Sequence, residues 1–177
     1  MKQKTILFIH GMYMNSLCWE HWVPGYQAKG FKCITPDWPG RNQSIDVLRR
    51  NNPDPKLGSL TLSNVVDFMR KQIEQLNEKP IIVGHSMGGL VVQLLLQQGV
   101  AAAGVAISSA PPMGVFSTKF SFFKSNWPHI TPFTSLGEPV QMSFERFQYA
   151  FANTLPLAEQ LAAFERYVVP ESRRVPR

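Results

Sequence analysis

The sequence predicts an α/β fold built on a doubly wound, mostly parallel sheet. Short apolar runs rich in β-branched residues alternate with longer runs of helical pattern, which is typical of a parallel sheet covered by helices. The first strand-like run, residues 5–9, is short, β-branched and apolar, as a strand buried on both faces requires. From residue 113 onwards no further strand-like run occurs, and aromatic residues and helical patterns dominate. We therefore expect an α/β core over residues 1–112 and a region without strands over residues 113–170.

Local patterns place the individual elements. The predicted strands cover residues 5–9, 31–35, 80–84 and 102–108, and the predicted helices cover residues 17–28, 60–76, 90–98, 141–153 and 157–167. Pro24 is expected to end or kink the first helix, and Ser63 is expected to cap the second. Residues 36–58 are rich in Pro, Asn, Gly and Asp, so we expect a long connection of the kind that carries function.

Composition and charge exclude several classes of protein. Hydrophobic residues make up 44% of the chain and charged residues 17%, so the chain can bury a core. The formal net charge is +6, but the basic residues are scattered apart from a cluster at the very end, and we expect no nucleic-acid partner. No run approaches the roughly 20 apolar residues of a membrane span.

The cysteines bear on the cellular compartment. Cys18 and Cys33 are too few for a disulfide framework and lack the spacing of a zinc site, so we expect no metal. Both lie in apolar stretches, as buried thiols in a reducing compartment do. The apolar run before His10 is shorter than that of a signal peptide. These observations predict a cytoplasmic protein.

One pentapeptide carries the chemistry. It follows a predicted strand, precedes an apolar helix and matches the pattern G-x-S-x-G: Gly84-His85-Ser86-Met87-Gly88. A nucleophile elbow needs this arrangement, because a sharp strand-to-helix turn lifts the serine Oγ above the sheet and the glycines avoid clashes. We predict that Ser86 is the catalytic nucleophile. The alternative is a glycine-rich turn in which the serine is incidental.

A second loop is expected to meet this elbow. His10-Gly11 directly follows the first predicted strand, where a second oxyanion donor is expected. We predict an oxyanion hole formed by the backbone N–H groups of Met12 and Met87. For His10 we favour a role in bracing the turn over direct catalysis, and the elbow should point His85 away from the serine.

Several apolar side chains near these loops are candidates for a substrate pocket. We select Tyr13, Trp38 and Met113. The alternative is that such side chains serve ordinary packing of the core or the cap.

These segments resemble the first half of an α/β-hydrolase. The segments that carry the resemblance occur in the order of that family: Ile6-Leu7-Phe8-Ile9-His10-Gly11, Pro36-Asp37 and Gly84-His85-Ser86-Met87-Gly88-Gly89. The resemblance implies hydrolysis of a small-molecule ester, thioester, amide or other carbonyl substrate without a cofactor. It also implies that residues 113–170 are the helical cap that many members insert. Lyase, acyltransferase and cofactor-free peroxidase relatives share the elbow, so those activities remain open.

The resemblance also implies residues that this chain lacks. In the family an acid and then a histidine follow the cap, whereas here the last aspartate is Asp67 and the only histidine after Ser86 is His129. We therefore expect residues 171–177 to begin a connection to a missing C-terminal half. The fourth predicted strand would then be an open apolar edge, covered by that half or by a second subunit.

Two functions from different classes follow. The first is a serine hydrolase of esterase or lipase type, in which Ser86 forms an acyl-enzyme and a missing histidine accepts its proton. The second is a truncated, non-catalytic hydrolase-like module that binds a small apolar ligand or a protein partner. The intact elbow favours the enzyme, and the absent triad members favour the binding module for the isolated chain.

Overall fold

A four-stranded parallel sheet forms the centre of the molecule. The computed structural model describes residues 3–115, 118–121, 124–125 and 135–177. The strands are β1 (Thr5–Ile9), β2 (Lys32–Ile34), β3 (Ile81–His85) and β4 (Ala103–Ile107), and they lie in the order β2-β1-β3-β4. All of the strand pairs are parallel. The predicted α/β fold with a parallel sheet is confirmed.

Helices connect the strands and continue after the sheet. They are α1 (Val23–Gln27), α2 (Ile45–Arg50), α3 (Pro55–Gly58), α4 (Leu62–Glu74), α5 (Met87–Gln97), α6 (Phe144–Phe147) and α7 (Leu157–Tyr167). A 3₁₀ turn at Ser16–Trp19 precedes α1, and a π-helical turn at Gln148–Ala152 follows α6. Within the described part of the chain, no helix is long and apolar enough to cross a membrane.

The prediction of one helix over residues 17–28 is wrong. The 3₁₀ turn and α1 divide this segment between them, and Pro24 lies in the first turn of α1. A proline fits there because the first N–H groups of a helix have no partner within the helix. Pro24 therefore lies at the beginning of a helix and not at its end.

Two further expectations about the first half of the chain are corrected. Residues 36–58 contain α2 and α3, whose first turns are capped by the side chains of Ser44 and Asp54. The N-cap of α4 is Thr61 and not Ser63, because the Thr61 side chain accepts from the N–H of Asn64, whose own side chain accepts from the N–H of Thr61. This reciprocal pair is a capping box.

Strand β1, one of the two inner strands of the sheet, is buried on both of its faces. Every residue of β1 is buried. Leu7 and Ile9 pack in the cluster that contains the apolar faces of α4 and α5, whereas Ile6 and Phe8 pack with Trp19 on the other side. This alternation follows from the two-residue period of a strand. The strand that leads to His10 is thus covered on both faces.

Strand β4, at one end of the sheet, is far more exposed than β1. Strand β4 pairs with β3 and occupies one end of the strand order. Its first four residues are exposed, and half of the surface of Val105 is accessible to solvent. Among the residues that the structure describes, the apolar edge expected from the sequence is therefore present at β4.

Candidate active site

The backbone of Ser86 is held in an unfavourable conformation between β3 and α5. Its φ of 55° and ψ of −120° lie outside the regions that residues other than glycine prefer. Its N–H donates to the carbonyl of Ile107 over 3.0 Å, and its carbonyl accepts from the N–H of Ala110 over 2.9 Å. Such strain persists where the surroundings over-determine it, and it is characteristic of functional sites.

Three glycines allow the elbow to form. A Cβ at Gly84 would overlap the carbonyl oxygen of Gly88, and a Cβ at Gly88 would overlap the carbonyl oxygen of Ile9. A Cβ at Gly11 would lie 3.0 Å from the Cβ of Ser86 and 3.6 Å from its Oγ. The two loops therefore approach each other so closely that side chains at these positions would separate them.

His10 uses both of its ring nitrogens within the protein. Its Nδ1 lies 2.8 Å from the carbonyl oxygen of Gly11, and its Nε2 accepts from the N–H of Trp38 over 3.2 Å. The ring is buried and stacks on Trp38 with the centroids 4.7 Å apart. Burial, helped by the charge of Arg41, lowers the pKa of His10 to about 3. A neutral imidazole with both nitrogens engaged braces the loop and leaves no nitrogen for Ser86.

This bracing by His10 sets the direction of the N–H of Met12, the predicted oxyanion donor. The carbonyl of Gly11 and the N–H of Met12 belong to one trans peptide and point in opposite directions. The hydrogen bond from His10 to that carbonyl therefore fixes where the N–H of Met12 points. In the part of the chain that the structure describes, the N–H groups of Met12 and Met87 donate to no other group.

A cavity of about 330 Å³ opens at Ser86. It is lined by residues of the elbow, of the loop after β1 and of the second half of the chain: Met12, Tyr13, His85, Ser86, Ser108, Ser125, Met142, Ala150 and Phe151. The loop after β1 and the region beyond residue 113 thus both contribute walls around the serine.

The structure does not bring every candidate to this cavity. Trp38 is buried under His10, and Met113 is fully exposed, so neither lines the wall around Ser86. Met113 lies outside because nothing among the described residues covers it. His85 does contribute to the wall, and its burial lowers its pKa. No hydrogen bond joins His85 to Ser86 among the described residues, and His129 lies outside those residues.

Several lining residues are absent from the sequence-based prediction. Ser108 directly follows β4 with a φ of 42°, and its place at the carboxyl end of a parallel strand is a signal that could have found it. Met142 and Phe151 lie in a region without strand patterning, where the sequence provides no register.

Comparison with known proteins agrees with this geometry. The model of the alpha/beta hydrolase family matches residues 6–177, which is nearly the whole chain. The chain belongs to the alpha/beta hydrolase family. No curated protein matches it significantly.

Solved structures of other hydrolases share the fold. An extracellular alpha/beta-hydrolase from a Paenibacillus species, described as homologous in structure and function to tobacco salicylic acid binding protein 2, is 22% identical with a TM-score of 0.74. The match covers 97% of this chain and 69% of that one. Polyneuridine aldehyde esterase is 17% identical with a TM-score of 0.68, over 99% of this chain and 71% of that one. A methylesterase from Arabidopsis is 18% identical with a TM-score of 0.62, over 97% and 68%.

Proposed function

We propose that this hydrolase cleaves a carboxylic ester or a related carbonyl compound through an acyl-enzyme on Ser86. The observation that carries the proposal is the strained backbone of Ser86, with a φ of 55°, at the mouth of a cavity of about 330 Å³. A serine held in this way at a strand-to-helix turn presents its Oγ to a bound substrate. The esterases among the structural neighbours support an ester as the substrate class.

The proposed reaction begins with attack of the Ser86 Oγ on the substrate carbonyl carbon. The carbonyl oxygen becomes an oxyanion, and the N–H groups of Met12 and Met87 stabilise it by about 3 kcal/mol each. The alcohol then leaves with a proton, and water releases the acid from the serine. The apolar side chains of Met142 and Phe151 would pack against the acyl or alcohol group.

The proton of Ser86 requires a base. Among the described residues, His10 has both ring nitrogens engaged, and the side chain of His21 is 84% exposed and lies 3.8 Å from Glu20. His85 lines the cavity, but no hydrogen bond joins it to Ser86 among those residues. We propose that the base and its carboxylate partner come from a further C-terminal part of the protein or from a second subunit. The same element would cover the exposed edge at β4.

A cytoplasmic location remains part of this proposal, supported by two free cysteines.

Covalent labelling tests the proposed nucleophile. A fluorophosphonate probe should label the whole natural protein at Ser86, and Ser86→Ala should abolish the labelling and the hydrolysis of p-nitrophenyl butyrate. Ser108→Ala is the matched control, because Ser108 lines the same cavity and also has a positive φ. Labelling that persists in Ser86→Ala would refute the assignment.

A non-catalytic binding module is the second candidate. It is favoured by one observation: no histidine among the described residues is hydrogen-bonded to Ser86. The two candidates differ in turnover. A binding module would retain a small apolar ester in the cavity without cleaving it, and the Ser86→Ala variant would bind that ester unchanged.

A further inference from the structure

A buried ion pair lies behind the loop that follows β1. The guanidinium of Arg41 and the carboxylate of Glu171 are 2.6 Å apart at Nη2 and Oε2, and neither side chain is accessible to solvent. Removing two charges from water is costly, and a well-packed apolar pair is often as stable. The contacts of this pair are therefore informative about what it does.

The two side chains hold the backbone on both sides of Tyr13. The Oε2 of Glu171 accepts from the N–H of Tyr13 over 2.9 Å, and its Oε1 accepts from the N–H of Ser172 over 2.8 Å. The Nη1 of Arg41 donates to the carbonyl of Met14 over 2.6 Å. The peptide between Met12 and Tyr13 and the peptide between Met14 and Asn15 are thus anchored by charged side chains whose own positions fix each other.

Tyr13 needs such anchors because of its backbone conformation. Its φ is 62°, in the left-handed region that a residue with a side chain rarely adopts. Its carbonyl also accepts from the N–H of Val169 over 2.8 Å. Without the acceptor on Glu171, the buried N–H of Tyr13 would lose its partner, and rotation of the peptide between Met12 and Tyr13 would relieve the strain.

We propose that Arg41 and Glu171 are positioning residues that aim the N–H of Met12 at the oxyanion formed on the substrate of Ser86. The inference rests on the proposed function. His10 fixes the peptide before Met12 through the carbonyl of Gly11, and Glu171 fixes the peptide after it through the N–H of Tyr13. A donor held on both sides does not have to reorganise when the charge develops, which is the basis of oxyanion stabilisation.

The pairing of the two charges matters for this role. An unpaired carboxylate at the position of Glu171 would oppose negative charge on the substrate, and Arg41 balances it. Arg41 is itself held by Trp38, with its Cζ 4.9 Å from the ring centroid, and Trp38 also stacks on His10. The supports on the two sides of Met12 therefore share one aromatic side chain.

The same segment connects the loop to the cavity wall. Val140 and Glu171 form an antiparallel bridge, with backbone hydrogen bonds of 2.7 and 2.9 Å. Met142, two residues after Val140, lines the cavity at Ser86. Glu171 thus fixes the loop after β1 with its side chain and one wall of the cavity with its backbone.

A pair of double variants separates positioning from stability. Arg41→Met with Glu171→Gln removes both charges and keeps an acceptor for the N–H of Tyr13. Arg41→Met with Glu171→Leu removes the acceptor as well. The control is Arg70→Met with Glu74→Gln, which removes a partly exposed ion pair of the same 2.6 Å length within α4.

The measurements are kcat and KM for p-nitrophenyl butyrate, inhibition by n-butylboronic acid and the melting temperature of the whole natural protein. The boronic acid forms a tetrahedral adduct with a serine and so reports on the oxyanion hole. We call the double variant with Glu171→Leu the Leu pair and the double variant with Glu171→Gln the Gln pair. We expect kcat of the Leu pair to be about tenfold to a hundredfold lower than kcat of the Gln pair, with the two KM values within about twofold of each other. Boronate affinity should fall with kcat, and the control should match the wild type.

Equal kcat in the Gln and Leu pairs of a working hydrolase would overturn the inference and leave the proposed function standing. A wild type that neither hydrolyses the ester nor binds the boronate would overturn both. If the Leu pair does not fold, Arg41→Lys carries the test, because lysine keeps the charge and loses the fork that reaches Met14. We expect kcat for Arg41→Lys to fall by about threefold or more at constant KM, and an unchanged kcat would refute the inference.

Discussion

Strands β1 and β4 have the same length and direction and belong to the same sheet, but their surroundings differ. All five residues of β1 are buried, whereas four of the five residues of β4 are exposed. Both nevertheless serve the site: β1 leads to His10, and the last residue of β4, Ile107, accepts the hydrogen bond of the Ser86 N–H. The comparison shows that one part of the site rests on a buried strand and another part on an exposed strand. Changes on the β1 side should therefore cost far more than changes in β4.

The largest expected effect is on core packing. Leu7 is fully buried in β1, and Leu7→Ala should lower the free energy of unfolding by about 2–5 kcal/mol through lost burial and a residual cavity. Val105 in β4 is 50% exposed, and Val105→Ala should cost less than about 1 kcal/mol. Urea unfolding of the two variants measures both values. Similar losses would show that β4 is as well supported as β1.

A comparable contrast is expected between two glycines. A Cβ at Gly88 would meet backbone, the carbonyl oxygens of Ile9 and His10, whereas a Cβ at Gly104 in β4 would meet the side-chain ends of Leu96 and Val92 at 2.6 and 2.7 Å. Side-chain ends can move and the carbonyls of a buried strand cannot. Gly88→Ala should therefore cost about 3 kcal/mol or more, and Gly104→Ala less.

Thermal unfolding of both glycine variants, together with fluorophosphonate labelling of Ser86, tests this contrast. Labelling should be lost in Gly88→Ala and retained in Gly104→Ala. Retained labelling in a stable Gly88→Ala variant would contradict the close approach of β1 and α5.

The sequence places the strands well because their signal is local. Each strand contains a short run of apolar residues, and each observed strand lies within two residues of its predicted bounds. Helices α2 and α3 were not predicted because six and four residues are too few to show a helical period. Their capping residues, Ser44 and Asp54, were visible in the sequence but lie in a segment whose composition favoured a loop.

The same distinction holds for the site. Ser86 and Met12 can be located from the sequence, because turn geometry ties each of them to the end of a neighbouring strand. The pairing of Arg41 with Glu171 cannot be predicted from the sequence, because it joins residues that are far apart in the chain across a segment with no strand register. Long-range pairing of buried charges depends on the packing of the whole domain.

The next smaller effect is the response to acid of His10, the residue that follows β1. The lowered pKa of His10, about 3 compared with 6.5 in the unfolded chain, means that the unfolded chain binds more protons between those values. Stability from this group is complete above pH 6.5 and falls as the pH is lowered towards 3. Lowering the pH from 7 to 5 should cost about 2 kcal/mol.

Unfolding free energies at the two pH values test this response. His10→Gln should lose most of the acid sensitivity, although the variant itself is less stable. The control is His21→Gln, because the side chain of His21 is 84% exposed, and it should behave as the wild type does. An undiminished acid response in His10→Gln would assign the sensitivity to other groups.

The smallest expected change in stability concerns the exposed end of the sheet. Among the described residues β4 pairs only with β3, so its outer edge presents unpaired backbone groups beside an exposed Val105. Such edges associate with other chains, and lysine on an edge strand opposes this association. Val105→Lys should change the free energy of unfolding by less than about 1 kcal/mol and reduce the self-association of the 177-residue chain in sedimentation velocity. Leu17→Lys, which adds the same charge at an exposed site away from β4, should leave self-association unchanged. If both variants sediment as the wild type does, the edge at β4 is not a contact surface, and the comparison with β1 then reflects burial alone.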